Sequence, residues 1–194
     1  MQPKAEMVHW LFAGGVLLLG LTLLAEGIVG EEVWSRRPWR VYLFPGLVFG
    51  MGVLMWPVMV LYTNSAIHTL AHGAWAQVMM LAGAAELALA RGKLKSSYWR
   101  LTMALALFVA GSAFLIHEAN PWLFQRSAFL HHLNGWVLIA ATPLAVGRAV
   151  RPRSVAFGGA FAFVFVVIAV LLFSDRDLAP IFGHLSQLAG APHR

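Results

Sequence analysis

Six runs of apolar residues, each about 20 residues long, constrain this chain more than any other feature of its sequence. A bilayer core about 30 Å thick is spanned by roughly 20 apolar residues in an α-helix. Only helices and closed barrels satisfy their backbone polar groups there. We therefore predict an all-α, polytopic membrane helix bundle of about six helices. The runs cover residues 8–29, 41–62, 67–90, 101–118, 129–148 and 155–174.

The composition sets the class of partner that the chain can have. Only 11% of the 194 residues are charged and 60% are hydrophobic, whereas soluble domains have about 25% charged residues. A pI near 10.5 would suggest a nucleic-acid partner in a soluble protein. Here the basic residues stand in short linkers between apolar runs, which is the pattern of membrane topology. We expect a lipid bilayer as the surroundings and no nucleic acid. Homo-oligomers and partners in a membrane complex both stay open.

The basic residues also predict how the chain crosses the membrane. Ten of the 14 Lys and Arg lie on the side that carries the linkers after runs one, three and five. The positive-inside rule places that side in the cytoplasm. Both termini are then outside the cytoplasm, in a plasma or inner membrane. We predict a single transmembrane domain over 1–174 and an outward C-terminal tail over 175–194.

Histidines are the most informative polar residues, because all eight fall on the outward half of this topology. Ionisable residues inside membrane spans usually mark function, and imidazole is the commonest metal ligand. The chain has no cysteine, so thiolate sites are excluded. We predict a transition-metal site, for Zn or Cu. Its candidate ligands are His9, His68, His72, His117, His131 and His132.

Two details refine this set. His131 and His132 are adjacent, so their side chains point about 100° apart on a helix and only one of them is expected to bind a shared ion. Glu118 follows His117 directly and is a candidate to accept a hydrogen bond from a ligand imidazole. A solvated loop position is an equal interpretation of Glu118.

Other functions stay open beside metal binding. One is a mono-haem b subunit of an electron-transfer complex, with His72 and His132 as axial ligands. Another is a zinc-dependent membrane hydrolase, in which Glu118 would be the general base. A third is a structural subunit without a cofactor, whose histidines are only interfacial. The residues favour a binding protein over an enzyme.

Carboxylates and methionines give two further patterns. Glu26 and Glu86 lie at similar depth near the cytoplasmic ends of their runs. They are either proton or ion sites or residues that reach the headgroups, and we favour the second interpretation. Met51, Met55 and Met59 recur every four residues. They form either a thioether copper path or a lipid-facing or packing stripe, and again we favour the second.

Small residues cluster in two of the runs. Gly14, Gly15 and Gly20 lie in the first run, and residues 82–85 read Ala-Gly-Ala-Ala in the third. Small residues let membrane helices approach closely. We predict helix–helix contacts at both clusters.

A sparse pattern of residues in or next to four of the runs resembles a known family. The residues are His9, Gly14 and Gly20; Asn64, His72, Gly83 and Glu86; Leu107, Phe108, Phe114 and His117; and His131 and His132. Together they resemble the transmembrane protein 45 family, a group of multi-span proteins assigned to a domain of unknown function. The resemblance covers roughly residues 7–145. The proline expected between the first histidine and the next glycine is missing. The resemblance implies a multi-span helical fold and a shared set of histidines, and it supplies no reaction.

Overall fold

The computed structural model describes residues 5–62, 66–117, 126–152 and 154–174. The predicted tail over 175–194, Asn64 and Glu118 lie outside these residues, and so does the side chain of His117. The described part of the chain contains seven α-helices. They are α1 (Ala5–Val29), α2 (Glu31–Ser35), α3 (Leu43–Tyr62), α4 (Ala66–Ala90), α5 (Leu101–His117), α6 (Arg126–Val150) and α7 (Val155–Phe173).

The prediction of an all-α bundle with six spans is confirmed. Every helix except α2 is long and apolar enough to cross a membrane. The helix ends fall within about three residues of the predicted runs, the usual scatter of helix boundaries. Pro57 and Pro143 both lie inside long helices. A proline there leaves a backbone carbonyl without its helical hydrogen bond, and neighbouring helices can satisfy that carbonyl.

The linker between the first two spans has more structure than the sequence predicted. Gly30 adopts φ +81°, a backbone conformation that glycine tolerates without strain, and it ends α1. The short helix α2 and a 3₁₀ segment over Pro38–Tyr42 follow. The side chain of Trp34 is buried here, beneath the guanidinium of Arg40 at 5.3 Å from the ring centre. The linker is therefore folded back onto the end of the bundle.

The six long helices form a closed ring. Each packs against two others, in the order α1, α3, α4, α5, α6 and α7, and α7 returns to α1. Consecutive helices are neighbours because their linkers are short. The ring closes where the first long helix, α1, packs against the last, α7. Side chains from across the ring meet in its interior, where Phe12 of α1 contacts Trp75 of α4 with ring centres 5.2 Å apart.

Glycines set the closest helix contacts of the ring. A Cβ on Gly83 of α4 would collide with the backbone of Phe49 in α3, whose Cα would lie 2.6 Å away. Gly20 of α1 similarly faces the carbonyl oxygen of Ala162 in α7. The predicted helix contacts are confirmed at these two positions and at Gly15 of α1, which faces the side chain of Met51 in α3. The expectation was wrong for Gly14, whose added Cβ would meet nothing within 4 Å.

The two ends of the ring differ in chemistry. Helices α1, α4 and α6 begin at one end, which we call the histidine end. It carries the described histidines His9, His68, His72, His131 and His132. The same three helices finish at the opposite end, which we call the charged end. Glu26, Glu86 and Arg148 lie there with the basic linkers over 30–42 and 91–100.

Candidate functional site: an imidazole pair and a buried ion-pair network

At the histidine end, two imidazoles from different helices meet inside the ring. The ring centres of His9 in α1 and His131 in α6 are 5.0 Å apart, with an interplanar angle of 66°. His131 is only 4% exposed. Two imidazoles bound to one tetrahedral ion, each nitrogen about 2 Å from it, have ring centres about 5 Å apart. This spacing permits two ligands of a single ion, and it is equally usual for two rings that pack edge to face.

The structure distinguishes His131 from its neighbour His132. His131 is buried and also contacts Phe114 of α5, with ring centres 5.3 Å apart. His132 is only partly buried. The adjacent residues diverge as helical geometry requires. His131 is thus the member of the pair that faces His9, a choice that the sequence left open.

His68 and His72 form a second pair on one face of α4, with ring centres 6.0 Å apart. Their depth can be compared with that of His9 through the contact between Phe12 and Trp75. His9 and His72 each stand three residues before a member of that contact, and residues three apart share a helix face. Because α1 and α4 run the same way, His72 lies at the same level of the bundle as His9.

The structure brings the predicted ligands into pairs. Within the described residues, no group of three or more His, Asp or Glu side chains is arranged to hold a metal ion. The backbone of His117 ends α5 three residues after Phe114. The predictions for the His117 side chain and for Glu118 fall outside what the structure describes. The assembled part of the candidate site is therefore the pair of His9 and His131.

A buried amide beside this pair was missed by the sequence analysis. Asn134 is 1% exposed, and its Oδ1 atom has no hydrogen-bond partner among the residues that the structure describes. It stands three residues after His131 in α6, so the two share a helix face. A buried acceptor without a partner costs about 1–3 kcal/mol and commonly marks a bound water or ion. Asn134 was overlooked because an uncharged residue in an apolar run gives little signal.

At the charged end, Glu86 is the centre of an ion-pair network. Glu86 is buried, with 4% of the residue exposed. The Nη1 atom of Arg148 donates to Oε1 at 2.8 Å, and the Nε atom of Arg100 donates to Oε2 at 3.4 Å. Both oxygens are therefore held by guanidinium groups. The interpretation that Glu86 reaches the lipid headgroups is wrong. Its side chain is buried in the bundle, where Arg100 and Arg148 donate hydrogen bonds to it.

Arg148 is also held by aromatic rings. Its Cζ atom lies 5.1 Å from the ring centre of Phe44 in α3 and 5.4 Å from that of Phe161 in α7. Cation–π contacts of this kind contribute about 0.5–2 kcal/mol, more when desolvated. By sequence, Arg148 and Arg100 are two of the ten basic residues on the predicted cytoplasmic side. Their pairing with Glu86 could not be predicted, because Glu86 and Arg148 are 62 residues apart.

Glu26 of α1 lies close to the same network. The charges of Arg148, Arg100 and Glu86 all act on its partly buried carboxylate. Within the described residues, Glu26 makes no ion pair at 4.0 Å or less. Glu26 and Glu86 thus lie near the guanidinium groups of Arg100 and Arg148 at the charged end. Because both oxygens of Glu86 already accept from arginines, the network favours a structural role over capture of a free ion.

The fold defines the class of protein. Six long apolar helices in a closed ring, with charged linkers at one end, make this an integral, multi-pass helical membrane protein. Comparison with known proteins gives no closer placement, since no family model, curated protein or solved structure matches the chain.

Proposed function

We propose that this membrane protein binds a transition-metal ion, Zn or Cu, at its histidine end through His9 and His131. The observation that carries the proposal is the approach of these two imidazoles from different helices inside the ring, at 5.0 Å between ring centres. His72 lies at the same level of the bundle, although the described residues do not group it with this pair around one ion. Imidazole nitrogens suit both metals.

The buried amide of Asn134 supports the same site. Metal-bound imidazoles and waters usually donate hydrogen bonds to nearby acceptors, which orient the ligands. The Oδ1 atom of Asn134, one helical turn from His131, is an acceptor in a suitable place. On this proposal, Asn134 is an outer partner of the metal site.

Within the described residues, the histidine end has no carboxylate that could serve a hydrolase as general base. A zinc hydrolase needs a general base near the metal. The carboxylates whose side chains are described are Glu26, Glu31, Glu32 and Glu86, and all belong to the charged end. The haem alternative, with His72 and His132 as axial ligands, is distinguished from metal binding by its visible spectrum.

The orientation of the chain in the membrane and its family resemblance are also part of this proposal. We place the histidine end outside the cytoplasm, in a plasma or inner membrane, because the basic linkers lie at the opposite end. We retain the resemblance to the transmembrane protein 45 family as a proposal, carried by His9, His72 and the His131–His132 pair.

Metal titration of two histidine variants tests the proposal. Detergent-purified wild type, His131→Ala and His132→Ala would be titrated with Zn²⁺ and Cu²⁺, and a visible spectrum would be recorded for each. We expect wild type and His132→Ala to bind one ion per chain. We expect His131→Ala to lose at least about tenfold in affinity, since even outer partners of metal ligands are worth about 10- to 100-fold.

His132→Ala is the matched control, because it removes an imidazole from the same helical turn. Equal binding by wild type and His131→Ala would contradict the proposed ligand. A Soret band in the wild type, lost in His72→Ala, would instead establish the haem alternative. Protein that takes up neither metal nor haem would leave a structural subunit.

A further inference from the structure

The loop that follows α4 presents three cations at the edge of the membrane. Helix α4 finishes at Ala90, where a candidate membrane span also ends. Arg91, Lys93 and Lys95 come directly after it and are exposed. We call residues 91–95 the basic loop. Its charges lie just beyond the apolar part of the span, which is the depth of the lipid headgroups.

The basic loop is anchored to the end of α4. The backbone N–H groups of Lys93 and Leu94 donate to the carbonyl oxygen of Ala88 at 2.8 and 3.2 Å. Gly92 adopts φ +66°, the left-handed conformation that ends many helices. Leu94 is partly buried, whereas the lysines on either side of it are exposed. The two lysines therefore extend from a hydrogen-bonded turn and not from a free tail.

No carboxylate among the described residues pairs with the cations of the basic loop. The ion pairs at 4.0 Å or less in this part of the chain join arginines outside the loop to Glu32 and Glu86. The linker over 30–42 is different, because Glu31 and Glu32 there offset two of its three arginines. The basic loop thus carries positive charge that suits an anion from outside the chain.

Aromatic rings place the basic loop at the membrane interface. The Cζ atom of Arg91 lies 5.8 Å from the ring centre of Tyr42. Tyr42, Tyr98 and Trp99 are exposed aromatic side chains at this end of the ring. Exposed Tyr and Trp at the ends of membrane spans lie at the level of the headgroups. We therefore expect the anion that meets the loop to be part of the bilayer surface rather than a solute.

We infer that the basic loop binds the phosphate of an anionic phospholipid headgroup. Arg91 supplies N–H groups that hold two phosphate oxygens at once, and Lys93 and Lys95 add two charges beside it. Each basic residue near an anionic membrane surface strengthens binding by about fivefold. A zwitterionic headgroup has no net charge, so the loop distinguishes the two lipid classes. This surface lies at the opposite end of the bundle from the histidines, and lipid binding there does not depend on the proposed metal site.

The test compares two double variants that each remove two positive charges from the charged end. One carries Lys93→Gln and Lys95→Gln in the basic loop. The other, the matched control, carries Arg36→Gln and Arg37→Gln in the linker over 30–42. All four positions are exposed, so both variants should fold. Binding of phosphatidylglycerol and of phosphatidylcholine would be titrated on the detergent-purified full chain by native mass spectrometry.

We expect wild type to bind phosphatidylglycerol at least about tenfold more tightly than phosphatidylcholine. The lysine variant should lose at least about tenfold in affinity for phosphatidylglycerol, whereas the arginine variant should stay within about threefold of wild type. The preference of wild type should also weaken as ionic strength rises, since exposed charges are screened by salt.

Equal affinity of wild type for the two lipids would overturn the inference, and so would an unchanged preference for phosphatidylglycerol in the lysine variant. An equal loss in both double variants would overturn the basic loop as the site, because the net charge of this end would then explain the binding. Inorganic phosphate in excess should leave bound phosphatidylglycerol in place. Displacement of the lipid would identify a soluble phosphate as the ligand instead.

Discussion

At the scale of single residues, the two ends of the molecule use polar groups in opposite ways. The carboxylate of Glu86 has both oxygens held by arginines. At the other end, the ring of His131 contacts the ring of His9. The buried Oδ1 atom of Asn134 has no hydrogen-bond partner among the described residues. Buried polar groups that all have hydrogen-bond partners are typical of a structural network. Buried side chains beside an acceptor without a partner are typical of a binding site.

Glu86→Ala tests the structural role of the network. The variant leaves Arg148, whose side chain is 15% exposed, without its partner inside the bundle. Removing one member of a buried ion pair costs about 3–5 kcal/mol. We expect a clearly lower melting temperature in a detergent thermal-unfolding scan.

Glu32→Ala is the control for this variant. Glu32 pairs with Arg36 at 3.9 Å, but its side chain is 91% exposed. Exposed pairs contribute little to stability, so we expect the melting temperature to stay at the wild-type value. Equal melting temperatures for Glu86→Ala and Glu32→Ala would show that the buried network does not hold the bundle together.

At the scale of helices, the close glycine contacts explain how six helices can form a tight ring. The approach of α3 to α4 depends on Gly83, where any side chain would meet the backbone of Phe49. A backbone neighbour cannot move aside as a flexible side chain can. Small residues at such crossings replace the hydrophobic driving force that helices lack inside lipid.

Gly83→Ala should therefore separate α3 from α4. We expect a loss of about 1–3 kcal/mol, the usual cost of overpacking, measured as thermal stability in detergent. Gly50→Ala is the matched control in α3, because its added Cβ would meet nothing within 4 Å. A stability loss in Gly50→Ala as large as that in Gly83→Ala would contradict a specific role for the α3–α4 crossing.

The spans were predictable because each is an unbroken apolar run of the length that a bilayer requires. Contacts between helices were harder to predict. Two contacts depend on how the ring closes, and the order of the runs does not determine this. They are the ion pair of Glu86 with Arg148 and the ring contact of His9 with His131. The choice between His131 and His132 depends on helix rotation, and two adjacent histidines carry no signal for that rotation.

At the scale of the whole molecule, the ring has a basic end and a histidine end, and its orientation in the membrane decides what the candidate site can meet. The basic linkers predict that the charged end faces the cytoplasm. A metal site at the histidine end would then be supplied from outside the cell or from the periplasm.

Cysteine labelling tests this orientation without a background, since the native chain has no cysteine. Ser96→Cys lies in the linker at the charged end, and Ala66→Cys lies at the start of α4 at the histidine end; both positions are exposed. We expect a membrane-impermeant maleimide added outside intact cells to label Ala66→Cys only. Labelling of Ser96→Cys alone would reverse the predicted topology.

The most direct test of the central claim is the metal content of protein purified from membranes without chelator. The claim is that His9 and His131 together hold a transition metal. Near-stoichiometric zinc or copper is expected in wild type and in His132→Ala, and little in His9→Ala or His131→Ala. The same metal content in all four proteins, or a wild type that stays metal-free after zinc and copper are supplied, would contradict the account.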